Sequence, residues 1–193
     1  MDHPRAPQRY RGILDEPPFD SSKSFYLHGD TGTGKTHYAW AVANRFNKVN
    51  CDAIVDAKNY NHENWKPEGY EAKEIPRYEE IIVKNVPELM IEYRGTPFEN
   101  KEYLIRSLCV GRLILDDIGA EFQSEFTQEF MLAVLDDRWN KELWTGFTSN
   151  LSIGNLPYGD RVKSRVAGIV GRNIHKLDGK DRRLQIKKGQ NNE

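Results

Sequence analysis

The chain has 193 residues, of which 38% are hydrophobic and 30% charged, and a formal net charge of −1. These values favour one folded domain and exclude a strongly basic protein that would bind nucleic acid through its overall charge. No apolar run is long enough to cross a bilayer, and the opening residues MDHPRAPQRYRG contain no apolar signal core, so we expect a cytoplasmic protein without membrane contact.

The first part of the chain predicts a strand, a turn and a helix. Residues 1–23 are rich in Pro, Arg and Asp and predict an extended lead-in. Ser24–His28 is a short apolar segment that ends at a glycine-rich turn, as a buried strand does. Lys35–Phe46 has apolar residues at helical spacing, and Cys51–Val55 predicts a second strand. Residues 56–78 are polar and interrupted by prolines, which predicts an irregular insertion.

The second part of the chain alternates predicted helices and strands. Val86–Arg94 and Asn100–Leu108 predict two short helices, and Arg112–Leu115 predicts a buried strand. Apolar residues from Phe122 to Trp139 recur on one helical face, and Leu143–Ser149 predicts a further strand. Strands that alternate with helices indicate the α/β class, with a central parallel sheet flanked by helices on both sides.

The two cysteines, Cys51 and Cys109, are too few and too far apart for a disulfide framework or a zinc site. Both lie in apolar stretches, so we expect buried, reduced thiols.

A phosphate-binding loop follows the first predicted strand. The segment matches the pattern G-x-x-x-x-G-K-[ST] at every fixed position. Its glycines let consecutive N–H groups point at phosphate oxygens, and the helix that begins here adds its positive dipole end. The lysine is expected to reach the β- and γ-phosphates, and the last hydroxyl to bind Mg²⁺. The eight residues are Gly29, Asp30, Thr31, Gly32, Thr33, Gly34, Lys35 and Thr36.

A pair of acids completes this predicted ATP and Mg²⁺ site. Asp116 and Asp117 follow the apolar strand that contains Leu113–Leu115. In parallel sheets, ligands bind at the carboxyl ends of the strands. We therefore expect Asp116 to hold Mg²⁺ and Asp117 to orient or deprotonate the attacking water.

Four segments together resemble one family of P-loop proteins. They are GDTGTGKTHYAWAVANRF, LILDDIGAEF, TSNLS and DRVKSRV. In order and spacing they resemble the AAA+ ATPases of the DnaC/IstB-like helicase-loader group, over about residues 25–185. The P-loop alone is common to many families, whereas the combination of the four segments is much more specific. The resemblance implies an AAA+ P-loop fold over residues 24–185 and a disordered tail at 186–193.

The resemblance also implies roles for three polar residues. Asn150 matches the first sensor, a polar group between the γ-phosphate and water, although a simple strand cap would use the same residue. Arg165 matches the arginine finger that completes a neighbouring subunit's site, and Arg161 is the alternative finger. A guanidinium suits this role because it is planar, permanently charged and able to make paired bonds to phosphate. Plain surface arginines remain the competing interpretation for both.

Two further assignments rest on the family alone. Residues just before the first strand contact the adenine in such proteins, which makes Tyr10, with its neighbours Arg11, Gly12 and Ile13, a candidate. Arg183, with Arg182, lies where the family has a second sensor. A solvated basic tail explains these two arginines equally well.

The sequence departs from the AAA+ pattern in three respects. Most AAA+ proteins have Glu where this chain has Asp117, and the shorter side chain suggests slow, switch-like hydrolysis. The residues after Gly168 are too few for the usual C-terminal helical lid, as in the lidless loaders, which makes a neighbouring subunit more necessary. The residues before Gly29 are too few for the helicase-binding module that loaders usually carry.

The function implied is an ATPase of DNA replication that loads or remodels a replicative helicase on single-stranded DNA. The expected partners are further copies of this chain in a homo-oligomer, the helicase and the DNA. An IstB-type transposition ATPase remains open, because it has the same site but other partners. The 56–78 insertion, with Tyr60, Trp65 and Tyr70, is either a packed surface loop or a surface that docks a partner or stacks on bases.

Three other classes of P-loop protein fit less well. A small-molecule kinase needs a lid with phosphate-clamping arginines, and it leaves the TSN segment unexplained. A GTPase fits Asp116–Gly119 as D-x-x-G, but the nearest guanine motif, Asn47–Asn50, lacks its acid and comes too early. A protein that binds ATP without hydrolysing it is disfavoured because Lys35, Thr36 and both acids are intact.

Overall fold

Five parallel strands form the central sheet of the molecule. The computed structural model describes residues 7–63, 72–77 and 79–179. The spatial order of the strands is β2-β3-β4-β1-β5, and all four pairings are parallel. This sheet confirms the predicted α/β class. The strands are β1 (Phe25–His28), β2 (Ile81–Asn85), β3 (Arg112–Asp116), β4 (Thr145–Ser149) and β5 (Ile174–Lys176).

Helices cover both faces of the sheet. Alternate strand residues point to opposite faces, so Phe25 and Leu27 pack under the first helix whereas Tyr26 faces the second layer. The first face is covered by α1, and the other face mainly by α2, α4 and α5. This arrangement confirms the prediction of a parallel sheet with helices on both sides. The helices are α1 (Lys35–Glu63), α2 (Val86–Gly95), α3 (Phe98–Leu108), α4 (Glu125–Asn140) and α5 (Asp160–Val170).

The strand predicted at Cys51–Val55 is wrong, because these residues lie inside α1. Neither Gly nor Pro occurs between Lys35 and Glu63, so nothing in the sequence stops the helix. A five-residue apolar run does not distinguish a strand from a helix segment. The same helix contains residues 56–63, so the predicted irregular insertion begins too early. Trp65 and Tyr70 lie outside the described residues.

The true second strand, β2, was not predicted. It runs directly into α2 at Val86 without an intervening turn or loop. Asn85 caps α2 by accepting a hydrogen bond from the Glu88 N–H at 3.2 Å. The predicted helices over 86–94 and 100–108 are confirmed as α2 and α3. The final pair, α5 and β5, also had no prediction.

The long apolar helix starts later than predicted. Ser124 is its N-cap and accepts a hydrogen bond from the Thr127 N–H at 3.2 Å, so α4 begins at Glu125. Phe122 therefore precedes the helix and is 74% exposed. Cys109 is buried as expected, and burial raises the pKa of its thiol to about 11, whereas Cys51 is only half-buried.

The lead-in runs along α1. The side-chain amide of Asn44 donates to the carbonyls of Tyr10 and Ile13, at 2.8 and 3.1 Å. Arg182, Arg183, the 186–193 tail and any lid lie outside the described residues. Within the described ranges, no helix combines the length and the apolar character that a bilayer crossing requires.

Candidate phosphate and magnesium site

The sheet order brings the predicted site segments together. The strands β3, β4 and β1 are neighbours, and all three run in the same direction. Their carboxyl ends therefore lie side by side at one edge of the sheet. The P-loop follows β1, Asp116 ends β3, and Asn150 follows β4.

The P-loop has the backbone conformation that its glycines allow. Gly32 and Gly34 have φ of 81° and 99°, in the left-handed region. Gly29 has φ of 149°, and a Cβ atom there would lie 2.2 Å from the Leu177 carbonyl oxygen. The chain after β5 thus contacts the first glycine of the loop, and any side chain at that position would force the two segments apart.

Lys35 is held inside the loop. Its Nζ donates to the carbonyl oxygens of Gly29 at 2.8 Å and Asp30 at 2.7 Å, and the residue is only 6% exposed. Thr33 Oγ1 also donates to the Asp30 carbonyl, at 2.8 Å. These bonds close the loop around the start of α1, and a helix N-terminus favours the binding of an anion.

A hydroxyl–carboxylate network joins the P-loop to β3 and β4. Thr36 Oγ1 donates to Asp116 Oδ1 at 3.1 Å, and Thr148 Oγ1 donates to the same oxygen at 2.6 Å. The two residues predicted to bind Mg²⁺, Thr36 and Asp116, are thus in direct contact although they lie 80 positions apart in the chain.

Asp116 sits in an environment that favours a neighbouring cation. The residue is 4% exposed, and burial raises the pKa of its carboxyl group, although hydrogen bonds from Thr148 and Thr36 act in the opposite direction. A buried carboxylate is stabilised when a positive charge lies beside it. Carboxylate and hydroxyl oxygens are ligands of the type that Mg²⁺ prefers, so the pair fits this ion.

Asp117 is oriented by its backbone. Its φ is 64°, a left-handed conformation that Asp and Asn adopt more readily than most residues. The Asp117 N–H donates to Thr148 Oγ1 at 2.9 Å, which fixes the turn against β4. The side-chain amide of Asn150 approaches Asp117 Oδ1 at 3.5 Å. The two residues predicted to act on water are therefore adjacent.

A buried glutamate stabilises the segment after the acids. Glu121 Oε2 accepts a hydrogen bond from the Gly119 N–H at 2.9 Å, and Glu121 Oε1 accepts one from the Tyr158 hydroxyl. Burial and the nearby Glu121 charge raise the pKa of Tyr158, which keeps the phenol protonated as a donor. These contacts tie the Asp116–Asp117 turn to the segment before α5.

The two candidate finger arginines lie on α5 and not beside the P-loop of their own chain. Arg165 forms an ion pair with Asp136 of α4 through its Nε atom. Arg161 Nη2 lies 3.7 Å from the other oxygen of the same carboxylate. The structure brings neither arginine to the Asp116 site within this subunit.

Tyr10, the candidate adenine contact, packs along α1. Its ring stacks on Trp40 with a centroid distance of 6.0 Å and an interplanar angle of 13°. This location is beside the helix that begins at the P-loop, and its contact with adenine stays a prediction. Arg183, the candidate second sensor, is outside the described residues.

Sequence reasoning missed two residues at the site. Thr148 contacts both acids, and Asn85 pairs with Asp116 in the β2–β3 register. Thr148 lies within the TSN segment and could have been found from the alternation along β4. Asn85 required the strand β2, which the sequence did not reveal.

The chain is similar to two curated helicase loaders. The replicative helicase loader DnaI of Bacillus subtilis is 25% identical over 174 residues, covering 83% of this chain and 48% of DnaI. The replicative helicase loader DnaC of Buchnera aphidicola is 26% identical over 150 residues, covering 74% of this chain and 50% of DnaC. The chain thus spans about half the length of the curated relatives that it matches. No family model matches it.

The fold is similar to a solved loader structure. The crystal structure of DnaI aligns with a TM-score of 0.59 and 23% identity, covering 88% of this chain and 78% of that chain. The comparisons thus confirm the resemblance of this chain to DnaC-like helicase loaders, in sequence and in fold.

Proposed function

We propose that this chain binds and hydrolyses ATP and acts in DNA replication, in the cytoplasm, by loading or remodelling a replicative helicase on single-stranded DNA. The observation that carries the proposal is the contact of Thr36 Oγ1 with Asp116 Oδ1 at 3.1 Å. This contact unites the phosphate-binding loop with the acid that a metal-dependent nucleotide hydrolase requires.

Each residue of the site has a task in this reaction. The amides of the P-loop and Lys35 bind the phosphates of ATP. Thr36 and Asp116 would hold Mg²⁺, which would supply positive charge to the phosphates. Asp117, with Asn150, orients the attacking water and accepts its proton as the water oxygen bonds to phosphorus and the bond to ADP breaks.

A second subunit completes the proposed site. Arg165 lies on α5, away from its own P-loop, so it serves a nucleotide only if that nucleotide is bound by another copy of the chain. A guanidinium supplied in this way stabilises the charge of the transferring phosphoryl group, and hydrolysis then depends on assembly.

An aromatic and cationic surface that includes the exposed ring of Phe122 supports the DNA part of the proposal. Lys101 Nζ lies 5.0 Å and 4.9 Å from the ring centroids of Tyr93 and Phe126, which stack on each other. Arg94 lies 5.8 Å from the ring of the exposed Phe122. Rings that bases can stack on, next to cations that phosphates attract, are the features of single-strand binding surfaces.

The direct test measures nucleotide binding and turnover with the purified chain. We expect ATP to bind in competition with its analogues but not with GTP, and phosphate release to require Mg²⁺. Lys35→Ala should impair both binding and turnover, whereas Arg165→Ala should leave ATP affinity nearly intact and reduce turnover in the oligomer. A wild-type chain that does not bind ATP would refute the proposal.

The partner is tested by affinity capture from the native host in ATP, with ADP as the control. Recovery of a hexameric helicase in ATP only is the expected result. Recovery of a transposase in its place would support the IstB-type alternative, because that protein shares the site but not the partner.

A further inference from the structure

One carboxylate on α4 contacts both candidate finger arginines. Asp136 Oδ1 binds Arg165 Nε, and Asp136 Oδ2 lies 3.7 Å from Arg161 Nη2. The side chain of Arg165 is 36% exposed and that of Arg161 is 76% exposed. Asp136 therefore holds Arg165 closely and Arg161 only loosely.

The atom that Asp136 engages leaves the rest of the Arg165 guanidinium available. Nε is the nitrogen nearest the main chain, and within the described residues the structure gives Arg165 no partner other than Asp136. A guanidinium has five N–H donors in a fixed plane. A carboxylate on Nε thus fixes the plane of the group and leaves the donors of the terminal nitrogens for another acceptor.

The helix that carries Arg165 is firmly seated. Val162 and Val166 of α5 are buried in the core that α4 shares. Gly168 lies against the Trp139 ring of α4 so closely that a Cβ atom there would come within 2.8 Å of it. The Gly159 N–H at the start of α5 donates to Gln128 Oε1 of α4 at 3.0 Å. An arginine tethered between these two helices has little freedom to lose when it binds phosphate.

We propose that Asp136 is a positioning residue: it holds Arg165, and not Arg161, in the orientation that reaches a nucleotide bound by a neighbouring subunit. This inference rests on the proposed function, since it presupposes a site completed between subunits. Arg165, the more firmly held of the two arginines, is then the arginine finger. Asp136 then affects only the hydrolysis that takes place in the neighbouring subunit.

Mixed oligomers of the full chain test the inference. Lys35→Ala subunits lack a working nucleotide site but carry the finger, and Arg165→Ala subunits have the reverse defect. Turnover of the mixture should exceed the sum of the separate activities, because each mixed interface pairs an intact site with an intact finger. Adding Asp136→Asn to the Lys35→Ala subunit should lower this restored kcat at least about fivefold, with KM for ATP unchanged, because a misplaced group loses transition-state stabilisation but not ground-state binding.

The same substitution in the other subunit separates positioning from stability. Asp136→Asn combined with Arg165→Ala should leave the restored turnover unchanged, because that subunit supplies only its nucleotide site. The matched control is Asp137→Asn, which removes an adjacent charge on α4 that pairs with Lys141 at 2.6 Å. With Asp137→Asn added to either subunit, the mixed oligomer should still show the full restored turnover.

Three outcomes would overturn the inference. Equal losses from both subunits would mean that Asp136 only stabilises the fold. Full restoration by the Asp136→Asn, Lys35→Ala subunit would mean that Arg165 needs no positioning. If the unmodified pair restores nothing while wild-type subunits still hydrolyse ATP, the finger role fails together with this inference, and the ATPase proposal stands.

Discussion

Asp117 occupies a position where the backbone conformation and the chemistry favour the same residue. Its left-handed φ of 64° costs a β-carbon-bearing residue on the order of 1 kcal/mol, and Asp accepts this conformation more readily than Glu does. Bonds of Thr148 to the Asp117 N–H and to Asp116 hold the turn in place. The short acid that departs from the usual AAA+ pattern is thus suited to this turn.

Removing the Asp117 charge should stop hydrolysis without affecting nucleotide binding. Asp117→Asn keeps the size and the tolerance for left-handed φ, so the backbone should not move. Loss of a general base typically lowers turnover by about 100-fold or more. ATP affinity, measured by fluorescent-nucleotide binding, should stay within about twofold, because the proposed role of Asp117 is to act on water and not on the phosphates.

Glu142 provides the control for the Asp117 prediction. Among the described residues it is the other non-glycine residue with a left-handed conformation, at φ of 52°, and it precedes β4 at the opposite edge of the sheet. Glu142→Gln removes an acid from a similar backbone geometry and should leave turnover unchanged. Wild-type turnover in Asp117→Asn would exclude the proposed role of Asp117.

Asp116 should reduce the stability of the nucleotide-free protein at neutral pH. Because burial raises its pKa in the folded state, the ionised form destabilises the fold, and this penalty disappears as the pH falls through the raised pKa. Asp116→Asn should therefore have a higher Tm than the wild type at pH 7, and the difference should shrink on acidification. Thermal denaturation of both proteins without nucleotide, at pH 7 and at pH 5, measures this difference in Tm.

The same Asp116 variant should lose the stabilisation that Mg²⁺ and ATP confer together. A ligand that binds only the folded protein raises its Tm, so wild-type Tm should rise with Mg·ATP more than with ATP alone. In Asp116→Asn this extra rise should be absent. A variant that is less stable than the wild type at pH 7, or that responds fully to Mg²⁺, would contradict the assignment.

At the scale of elements, one buried arginine on α4 connects three other secondary-structure elements. Arg138 of α4 is 0% exposed. Its Nη1 donates to the Leu108 carbonyl at 2.6 Å, and its Nη2 donates to those of Gly111 at 3.1 Å and Trp144 at 2.6 Å. Nε donates to Thr145 Oγ1 at 2.8 Å. The arginine thus connects the end of α3 to the starts of β3 and β4, at the edge opposite the phosphate site.

Arg138→Met should destabilise the fold by about 3 kcal/mol, because it leaves buried carbonyl groups without donors. Urea unfolding measures the loss. Lys141→Met is the matched control on the same helix: the Lys141 side chain is half exposed, so its loss should cost less than about 1 kcal/mol. At low temperature, ATP affinity of Arg138→Met should remain close to the wild-type value, because the residue is remote from the P-loop. Equal stability of Arg138→Met and the wild type would refute the structural role.

The sequence predicted the elements whose signals are local. The P-loop and Asp116 follow from short patterns, and β1, β3, β4 and α2–α4 from periodicity. The roles of Asn85 and Asp136 could not be predicted, because they depend on strand register or helix packing between segments distant in the chain. The error at Cys51–Val55 has the same origin, since only packing decides whether a short apolar run continues a helix.

At the scale of the whole molecule, the described residues form two aromatic surfaces that are candidates for the proposed DNA contact. One is formed by Arg94, Lys101, Phe122 and Phe126. The other lies near the end of α1, where Lys73 Nζ is 5.8 Å from the ring of Tyr60. Both combine an exposed ring with a cation. The first surface has two cations, Arg94 and Lys101. Its Phe126 ring stacks on Tyr93, and Tyr93 in turn packs on the buried Phe130 at a centroid distance of 4.3 Å, which fixes the rings to the core.

We expect single-stranded DNA to bind the first of these surfaces. Phe122→Ala should weaken binding of an oligo-dT strand about tenfold, since stacking contributes about 1–3 kcal/mol per base. Its ring is 74% exposed, so the variant should remain as stable as the wild type. Lys101→Ala should weaken binding and lower the slope of log K against log salt concentration by an amount equal to about one phosphate contact. Phe122→Ala should leave that slope unchanged. Fluorescence anisotropy with ATP at several salt concentrations measures both, and Tyr60→Ala is the matched control. If Tyr60→Ala weakens binding and Phe122→Ala does not, the DNA passes over the end of α1, and the aromatic surface beside α4 serves another contact.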